Sequence, residues 1–252
     1  MQHSILVPLI VMVLAGAELP TEGPVPVPKP EPATATDIPG PSDSQESRSD
    51  ASDVKASPPA TITTPEDSKA ALALCESELQ ELGVNFERLE PVTGENGCGI
   101  ASPYAIAAIA PGVTLKPATE LRCETALSLA RWVRDVVLPS ARALPESLRL
   151  RAINHGSTYV CRRRNNLPTG KMSEHSIGNA IDIVSFEFDD REPLAVTPRN
   201  GKGSIEEAFQ RAVRAGACLH FTTVLGPGAD ASHDNHLHFD IAKRRGGYRL
   251  CQ

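Results

Sequence analysis

The sequence has no long apolar run, few aromatic residues and no excess of positive charge. A membrane-spanning helix needs about 20 predominantly apolar residues, and no stretch approaches that length, which excludes a polytopic membrane protein. Aromatic residues make up only 4% of the 252 residues, and 25 Lys and Arg stand against 31 Asp and Glu. This balance argues against a strongly basic nucleic-acid-binding protein. We therefore expect no nucleic acid partner and no stable membrane span.

Aromatic residues and cysteines are missing from the N-terminal part of the chain, whereas prolines concentrate there. Residues 20–70 contain 11 of the 22 prolines but no Phe, Trp, Tyr or Cys. Residues 18–70 hold ten acidic and four basic side chains, which account for the whole net charge of −6, and residues 71–252 hold 21 of each sign. Such an arm cannot bury enough apolar surface to fold. We predict a disordered acidic Pro/Ser-rich linker at 18–63, as a spacer or a wall-associating arm, and a globular domain at 64–252.

The first 17 residues have the pattern of a secretory signal peptide. A short apolar stretch, Ile5 to Leu14, is followed by Ala15-Gly16-Ala17, which fits the small-x-small cleavage pattern. The start lacks the usual Lys or Arg, and no cysteine follows the stretch to carry a lipid anchor. We predict that residues 1–17 direct the protein to the periplasm or outside the cell.

The six cysteines agree with an oxidising compartment. They are an even set spread over the globular part, and none forms the CxxC pair of a thiolate zinc site or a thioredoxin-like motif. Three disulfides are the prediction, with 15 possible connectivities; free buried thiols are the alternative. The cysteines are Cys75, Cys98, Cys123, Cys161, Cys218 and Cys251.

The globular part alternates between helical and strand-like patterns. Three helices are predicted from caps, apolar spacing and stop signals: from Thr64 and Pro65 to Gly83, from Glu120 to Leu138 with Pro139 against continuation, and from Ser204 to Gly216 with Phe209, Ala212 and Val213 in the core. Strands are predicted at 148–153, 157–161, 180–186, 218–225 and 236–241. Helices followed by strands predict an α+β domain with a mostly antiparallel sheet and flanking helices.

Four of the seven histidines fall in two short segments, at 173–182 and 233–240. In a strand, alternate side chains share a face, so His236, His238 and Asp240 would point away from the core while Leu237 and Phe239 point into it. Imidazole and carboxylate groups are ordinary zinc ligands. Alone, the His-x-His pair could be an ordinary exposed polar pair on a strand. The two segments together instead predict a metal site.

The two segments resemble the metal-binding signature of the zinc D-alanyl-D-alanine peptidases, whose fold is shared with hedgehog N-terminal domains. The first segment reads Ser-x-His-x-x-Gly-x-Ala-x-Asp from Ser173 to Asp182, and His236-x-His238 follows. The spacing His233-x-x-His236-x-His238 is more similar to penicillin-insensitive murein endopeptidases than to the carboxypeptidases, because Asn235 stands where the carboxypeptidases have Glu. The resemblance implies a hedgehog-like, D-Ala-D-Ala-peptidase-like fold.

A wider set of motifs is similar to the extensin-like C-terminal domain family of alphaproteobacteria over about residues 70–252. The motifs are Leu82-Gly83-Val84-x-Phe86-Glu87, Cys98-Gly99-Ile100, Ala130-Arg131-Trp132, Gly156-Ser157-x-Tyr159-x-Cys161-Arg162, Phe221-Thr222-Thr223-Val224-Leu225-Gly226-Pro227-Gly228 and Cys251-Gln252. This resemblance bears on the fold of the domain more than on its activity.

The peptidase resemblance assigns a role to each matching residue. It implies Zn²⁺ bound by His175, Asp182 and His238, with His233 as the general base. His236 would lie beside the ligands or stabilise the transition state, Ser173 would orient His175 or its loop, and Arg162 would face the substrate unless it belongs to a solvated basic run with Arg163 and Arg164.

We expect a zinc metallopeptidase that cleaves a peptide bond in peptidoglycan. The bond could be that of a crosslink or of a terminal residue. One alternative is a metal-stabilised binding module of the cell envelope that has lost turnover, and another is a purely structural disulfide-bonded domain.

Overall fold

The computed structural model describes residues 68–145 and 148–252, and these residues are organised by one mixed, mostly antiparallel sheet. The predicted signal peptide at 1–17, the linker at 18–63 and the domain start at 64 lie outside the described residues. The strands are β1 (Asn85–Arg88), β2 (Val92–Thr93), β3 (Gly99–Ile100), β4 (Tyr104–Ala110), β5 (Val113–Lys116), β6 (Leu150–Ser157), β7 (Ala180–Phe188), β8 (Leu194–Ala195), β9 (Thr223–Leu225), β10 (Leu237–Asp240) and β11 (Leu250–Cys251).

Most strands of this sheet run antiparallel to their neighbours. Their order is β1-β4-β5-β6-β7-β10-β9-β11, and β8 pairs with the second half of β7. Only the pairs β5–β6 and β9–β11 are parallel among the described strands, and β2 and β3 form a separate small hairpin. The predicted α+β class with a mostly antiparallel sheet is therefore confirmed.

Four α-helices occur among the described residues: α1 (Lys69–Glu81), α2 (Cys123–Trp132), α3 (Leu138–Arg142) and α4 (Ile205–Ala217). The predicted helix start at Thr64 lies outside the described residues. Helix α1 begins at Lys69 because the Ser68 hydroxyl accepts a hydrogen bond from Ala71 N–H at 3.3 Å, as an N-cap does. Of the helices described, none is both long and apolar enough to cross a membrane.

The second predicted helix continues past the residue that was expected to end it. A π-helical turn at Val133–Val137 joins α2 to α3, and Pro139 lies in the first turn of α3. The Leu138 N–H reaches back five residues to the Val133 carbonyl. Proline has no backbone N–H to donate, and in an α-helix its ring crowds the carbonyl four residues before it. In the wider π turn a different carbonyl lies at that place. The expectation that Pro139 stops the helix was wrong for this reason.

The core lies between the helices and one face of the sheet. The Trp132 ring packs edge-on against Phe239 of β10 with centroids 5.1 Å apart, and its Nε1–H donates to the Val213 carbonyl of α4 at 2.8 Å. Leu237 and Phe239 of β10 are both fully buried. Because side chains alternate along a strand, His238 must point to the opposite face of the sheet, as the sequence predicted.

Helix α4 packs on the core through a slightly different face from the one predicted. Phe209 and Val213 are buried as expected, but Ala212 is exposed. Gln210, two residues before Ala212, is buried instead, and its side-chain amide donates to the Thr197 carbonyl at 2.7 Å. A polar side chain can lie in the core when its hydrogen bonds are satisfied, and apolar spacing alone does not reveal such a partner.

The order of helices and strands also differs from the prediction. Strands β1 to β5 lie between α1 and α2, where none was predicted. Residues 158–161 are not a strand, and the predicted strand 218–225 is reduced to β9 because residues 218–220 form the turn that ends α4. Strands β7 and β10 lie within two residues of their predicted bounds.

All six cysteines pair, which confirms the three predicted disulfides. The pairs are Cys75–Cys123, Cys98–Cys161 and Cys218–Cys251. The first joins α1 to α2, the second links the residue before β3 to the segment after β6, and the third fastens the last strand to the end of α4. The C-terminus, which would otherwise fray, is thus held to the end of α4.

Candidate metal centre

Strand register brings two of the predicted metal ligands side by side. In the antiparallel pair of β7 and β10, Asp182 lies directly opposite His238. On the other side of β7, Ser157 of β6 is paired with Asp182, and its hydroxyl donates to Asp182 Oδ2 at 2.7 Å. Directly opposite residues on neighbouring strands share a face. The sheet itself therefore fixes the carboxylate against the imidazole.

A single helical turn brings the third predicted ligand to the same place. His175 lies in a 3₁₀ turn, Glu174–Ile177, and the Ser173 hydroxyl accepts from the His175 backbone N–H at 3.4 Å at its start. Gly178 ends the turn in a left-handed conformation with φ +71°. Ser173 thus orients the turn that carries His175.

Three ligand atoms converge at this point. His175 Nε2 lies 3.2 Å from Asp182 Oδ1, His238 Nδ1 lies 2.9 Å from the same oxygen, and the two nitrogens are 3.2 Å apart. Two ligands of a tetrahedral zinc ion, each about 2.0–2.1 Å from the metal, are separated by roughly 3.3 Å. The triangle therefore has the dimensions of one face of such a site, and its atoms are the donor types that zinc prefers.

Hydrogen bonds on the far side of each imidazole set the direction of its lone pair. His175 Nδ1 lies 2.7 Å from the Thr158 carbonyl, and His238 Nε2 lies 3.3 Å from Asp240 Oδ2. Both partners are acceptors, so each of these nitrogens must carry a proton. The other nitrogen of each ring is then available, beside Asp182, to a proton or a cation. This is the arrangement by which proteins orient metal-binding histidines.

The charges of this cluster are strongly coupled. Burial alone would raise the pKa of Asp182, but hydrogen bonds from His175 and His238 outweigh it and hold that pKa well below its ordinary value. Burial alone would lower the pKa of His238, but its hydrogen bonds to Asp182 and Asp240 raise it to about 9. The negative charge of Asp182 therefore favours positive charge on the imidazole of His238 beside it.

Two further histidines lie beside the triangle. His233 ends a short 3₁₀ turn, Ala231–His233, and its Nδ1 lies 2.8 Å from Asp230 Oδ1. The His233 ring lies 5.2 Å from that of His236 and 5.7 Å from that of His238, between centroids. His236 Nε2 is 3.6 Å from Asp182 Oδ1, and burial lowers the pKa of His236 below its ordinary value.

The three candidate ligands and the two further histidines line one cleft of about 360 Å³. Of the three consecutive arginines, Arg162 and Arg164 line this cleft, whereas Arg163 donates to the Gly170 carbonyl. Arg164 pairs with Glu174 at 3.3 Å. The seven residues singled out from the sequence all line this cleft, namely Arg162, Ser173, His175, Asp182, His233, His236 and His238.

Thr158 and Asp230 contribute to the site but were not singled out from the sequence, and Asp240 has a different role from the one expected. Thr158 acts through its backbone carbonyl, which no residue pattern reveals. Asp240 was expected beside His238 as a further potential ligand, but it binds the far side of that imidazole. Asp230 lies three residues before His233. Its carboxylate accepts one hydrogen bond from His233 Nδ1 and another from the Ser232 backbone N–H. The sequence did contain a signal for Asp230, because an Asp three residues before a histidine in a turn can accept a hydrogen bond from its ring.

The fold and the cleft define a disulfide-linked α+β domain with a candidate metal centre. Residues 73–252 match the family described as Extensin-like protein C-terminus. The match spans more than half of the chain, so the chain belongs to this family. No curated protein and no solved structure matches the chain.

Proposed function

We propose that this protein is an exported zinc-dependent hydrolase that cleaves a peptide bond in peptidoglycan. The observation that carries the proposal is the convergence of His175 Nε2, Asp182 Oδ1 and His238 Nδ1 in an open cleft beside two more histidines. The sequence pattern of these residues resembles the zinc D-Ala-D-Ala peptidases, and we propose that the domain shares their fold. The three disulfides agree with an oxidising compartment outside the cytoplasm.

The zinc site we propose consists of His175, Asp182 and His238. Bound there, zinc supplies Lewis-acid polarisation of a carbonyl group and acidifies water. The protein contributes a fixed carboxylate and two imidazoles whose far nitrogens are already hydrogen-bonded. Three protein ligands are typical of catalytic rather than structural zinc sites.

His233 is the proposed general base. The Asp230 carboxylate can only accept, so His233 Nδ1 carries a proton and Nε2 is available to take one from water and return it to the leaving amine. This pairing of a carboxylate with an imidazole fixes the orientation of the base. His236 and Arg162 line the same cleft, and their proposed role is to stabilise the negative charge that develops on the scissile carbonyl oxygen.

A binding module without turnover is the second candidate. Asn235 stands where the related carboxypeptidases have Glu, and its side-chain oxygen lies 2.9 Å from His236 Nδ1. An amide cannot act as a general base. In this alternative the zinc site stabilises the domain, and His233 does no chemistry.

The test uses the mature, oxidised protein and purified peptidoglycan. Wild type, His175→Ala, His233→Ala and a control, His220→Gln, are compared for bound zinc and for soluble muropeptide products; His220 lies outside the cleft. We expect His175→Ala to lose both zinc and products. We expect His233→Ala to keep zinc and to lose about 10²- to 10⁴-fold in rate.

Each outcome separates the candidates. Zinc retained by His175→Ala with unchanged products would overturn the proposed site. Zinc bound by the wild type, with no products and persistent binding to peptidoglycan, would favour the binding module instead.

A further inference from the structure

We propose that Thr223 and Arg244 are positioning residues for His238 and act through Asp240. This inference rests on the proposed zinc site. It concerns a chain of hydrogen bonds that runs from the cleft-lining Arg244 to the far side of the His238 imidazole.

Asp240 is the centre of this chain. It lies two residues after His238 on β10, so both side chains share a face of the sheet. The carboxylate is buried and is bound by three donors: His238 Nε2 at 3.3 Å, the Thr223 hydroxyl at 2.5 Å and the Ala242 backbone N–H at 3.0 Å. Thr223 and Ala242 bind Oδ1, which leaves Oδ2 directed at the imidazole. A buried carboxylate held in this way keeps a proton on His238 Nε2.

Thr223 occupies its position because of strand register. In the antiparallel pair of β9 and β10, Thr223 lies directly opposite Asp240. A threonine hydroxyl can donate to Asp240 or accept from it, since it has one proton and two lone pairs. A further partner of the Thr223 hydroxyl must therefore determine whether its proton points at Asp240.

Arg244 supplies that direction. Its Nη2 donates to the Thr223 hydroxyl oxygen at 2.5 Å, and its Nη1 donates to the Thr222 carbonyl at 2.9 Å. A guanidinium is only a donor, so the hydroxyl proton is directed at Asp240. The positive charge of Arg244 also lies one hydrogen bond away from the buried Asp240 carboxylate, through the Thr223 hydroxyl. The chain of hydrogen bonds thus holds Asp240 Oδ2 against His238 Nε2 and presents His238 Nδ1 to the zinc site.

The first measurement is zinc affinity by competition with a chromophoric chelator, on the full oxidised chain. Thr223→Val removes the hydroxyl at nearly constant volume, Thr223→Ser retains it, and Arg244→Gln removes the charge. Thr119→Val is the matched control, because Thr119 is another buried threonine with two hydrogen bonds, to the backbone of Tyr104 and Ile106. Loss of a partner behind a metal-binding histidine typically weakens metal affinity about 10- to 100-fold.

We expect Thr223→Val to bind zinc at least about tenfold more weakly than wild type. Arg244→Gln should show a smaller loss, Thr223→Ser should be close to wild type, and Thr119→Val should keep its affinity even if its melting temperature falls. Equal zinc affinity of Thr223→Val and wild type would overturn the proposal. So would equal weakening in Thr119→Val, since that would show a general effect of stability.

The second measurement does not depend on zinc. The His238 Nε2 proton, shielded by the buried Asp240, can be followed by NMR of the ring nitrogens in metal-free protein. We expect it to exchange with water at least about tenfold faster in Thr223→Val than in wild type or Thr119→Val, because a poorly held acceptor protects the proton less. If wild type binds no zinc, the proposed function fails, whereas this exchange rate still decides the positioning role: an unchanged rate in Thr223→Val would reject it.

Discussion

Replacement of Gly178 by alanine tests how the turn that carries His175 is held. Gly178 has φ +71°, and a Cβ atom built there would lie 2.6 Å from Ile100 Cδ1 and 3.2 Å from the Arg122 backbone nitrogen. A left-handed conformation costs alanine about 1–2 kcal/mol, and forcing a methyl group into a packed site costs about 1–3 kcal/mol more. We therefore expect Gly178→Ala to lose about 2–5 kcal/mol of unfolding free energy. Zinc binding should weaken too, because His175 lies three residues before.

A second glycine, Gly112, separates the conformational cost from the steric cost in this estimate. Gly112 has nearly the same φ, +76°, but no atom lies within 4 Å of its Cβ position. Gly112→Ala should therefore pay only the conformational cost, about 1–2 kcal/mol, and keep its zinc affinity. Ile100→Val removes the Cδ1 atom, so the double variant with Gly178→Ala should regain part of the loss in a double-mutant cycle.

The assay is denaturant unfolding with the disulfides intact, with zinc affinity measured on the same samples. The reasoning would be refuted if Gly178→Ala were no less stable than Gly112→Ala. It would also be refuted if Ile100→Val gave no recovery, because the steric contact would then not limit the turn.

Two more predictions concern the stability of the domain. The Cys218–Cys251 disulfide closes a sequence separation of 33 residues, so the double serine variant should lose about 4 kcal/mol by the loop-entropy estimate; a thermal melt unchanged from wild type would contradict this. Burial, followed by its hydrogen bond to Glu76, raises the pKa of Tyr104 to about 12. Because this folded-state pKa exceeds the ordinary value, the contribution is complete below about pH 10 and is lost as the pH rises towards 12. Unfolding free energy should therefore fall more steeply over that interval in wild type than in Tyr104→Phe, and parallel curves would refute the assignment.

The direction of the His238 side chain was predictable because it obeys a local rule, whereas the grouping of His175, Asp182 and His238 was implied by the resemblance to the zinc peptidases. His238 follows strand alternation, and the buried Leu237 and Phe239 on the opposite face determine which way it points. What alternation could not give was the role of Asp240. It shares the face of His238, but only the register of β9 brings Thr223 to one carboxylate oxygen and leaves the other for the imidazole.

The fold was less predictable where propensity and tertiary structure disagree. Strand β4 has the sequence YAIAAIA, and alanine is a poor strand former. Its backbone is nevertheless paired on both sides, with β1 and β5, and Tyr104, Ile106 and Ile109 are buried. Whether such a segment becomes a strand depends on pairing with distant segments and on burial against them. The seven residues alone do not determine either.

The most direct test of the central claim is zinc content per chain after dialysis of the oxidised protein. Wild type and His220→Gln should each retain one zinc ion, and His175→Ala, Asp182→Ala and His238→Ala should each lose it, because each removes one corner of the same triangle. Wild-type protein without zinc, or the three alanine variants with undiminished zinc, would contradict the account.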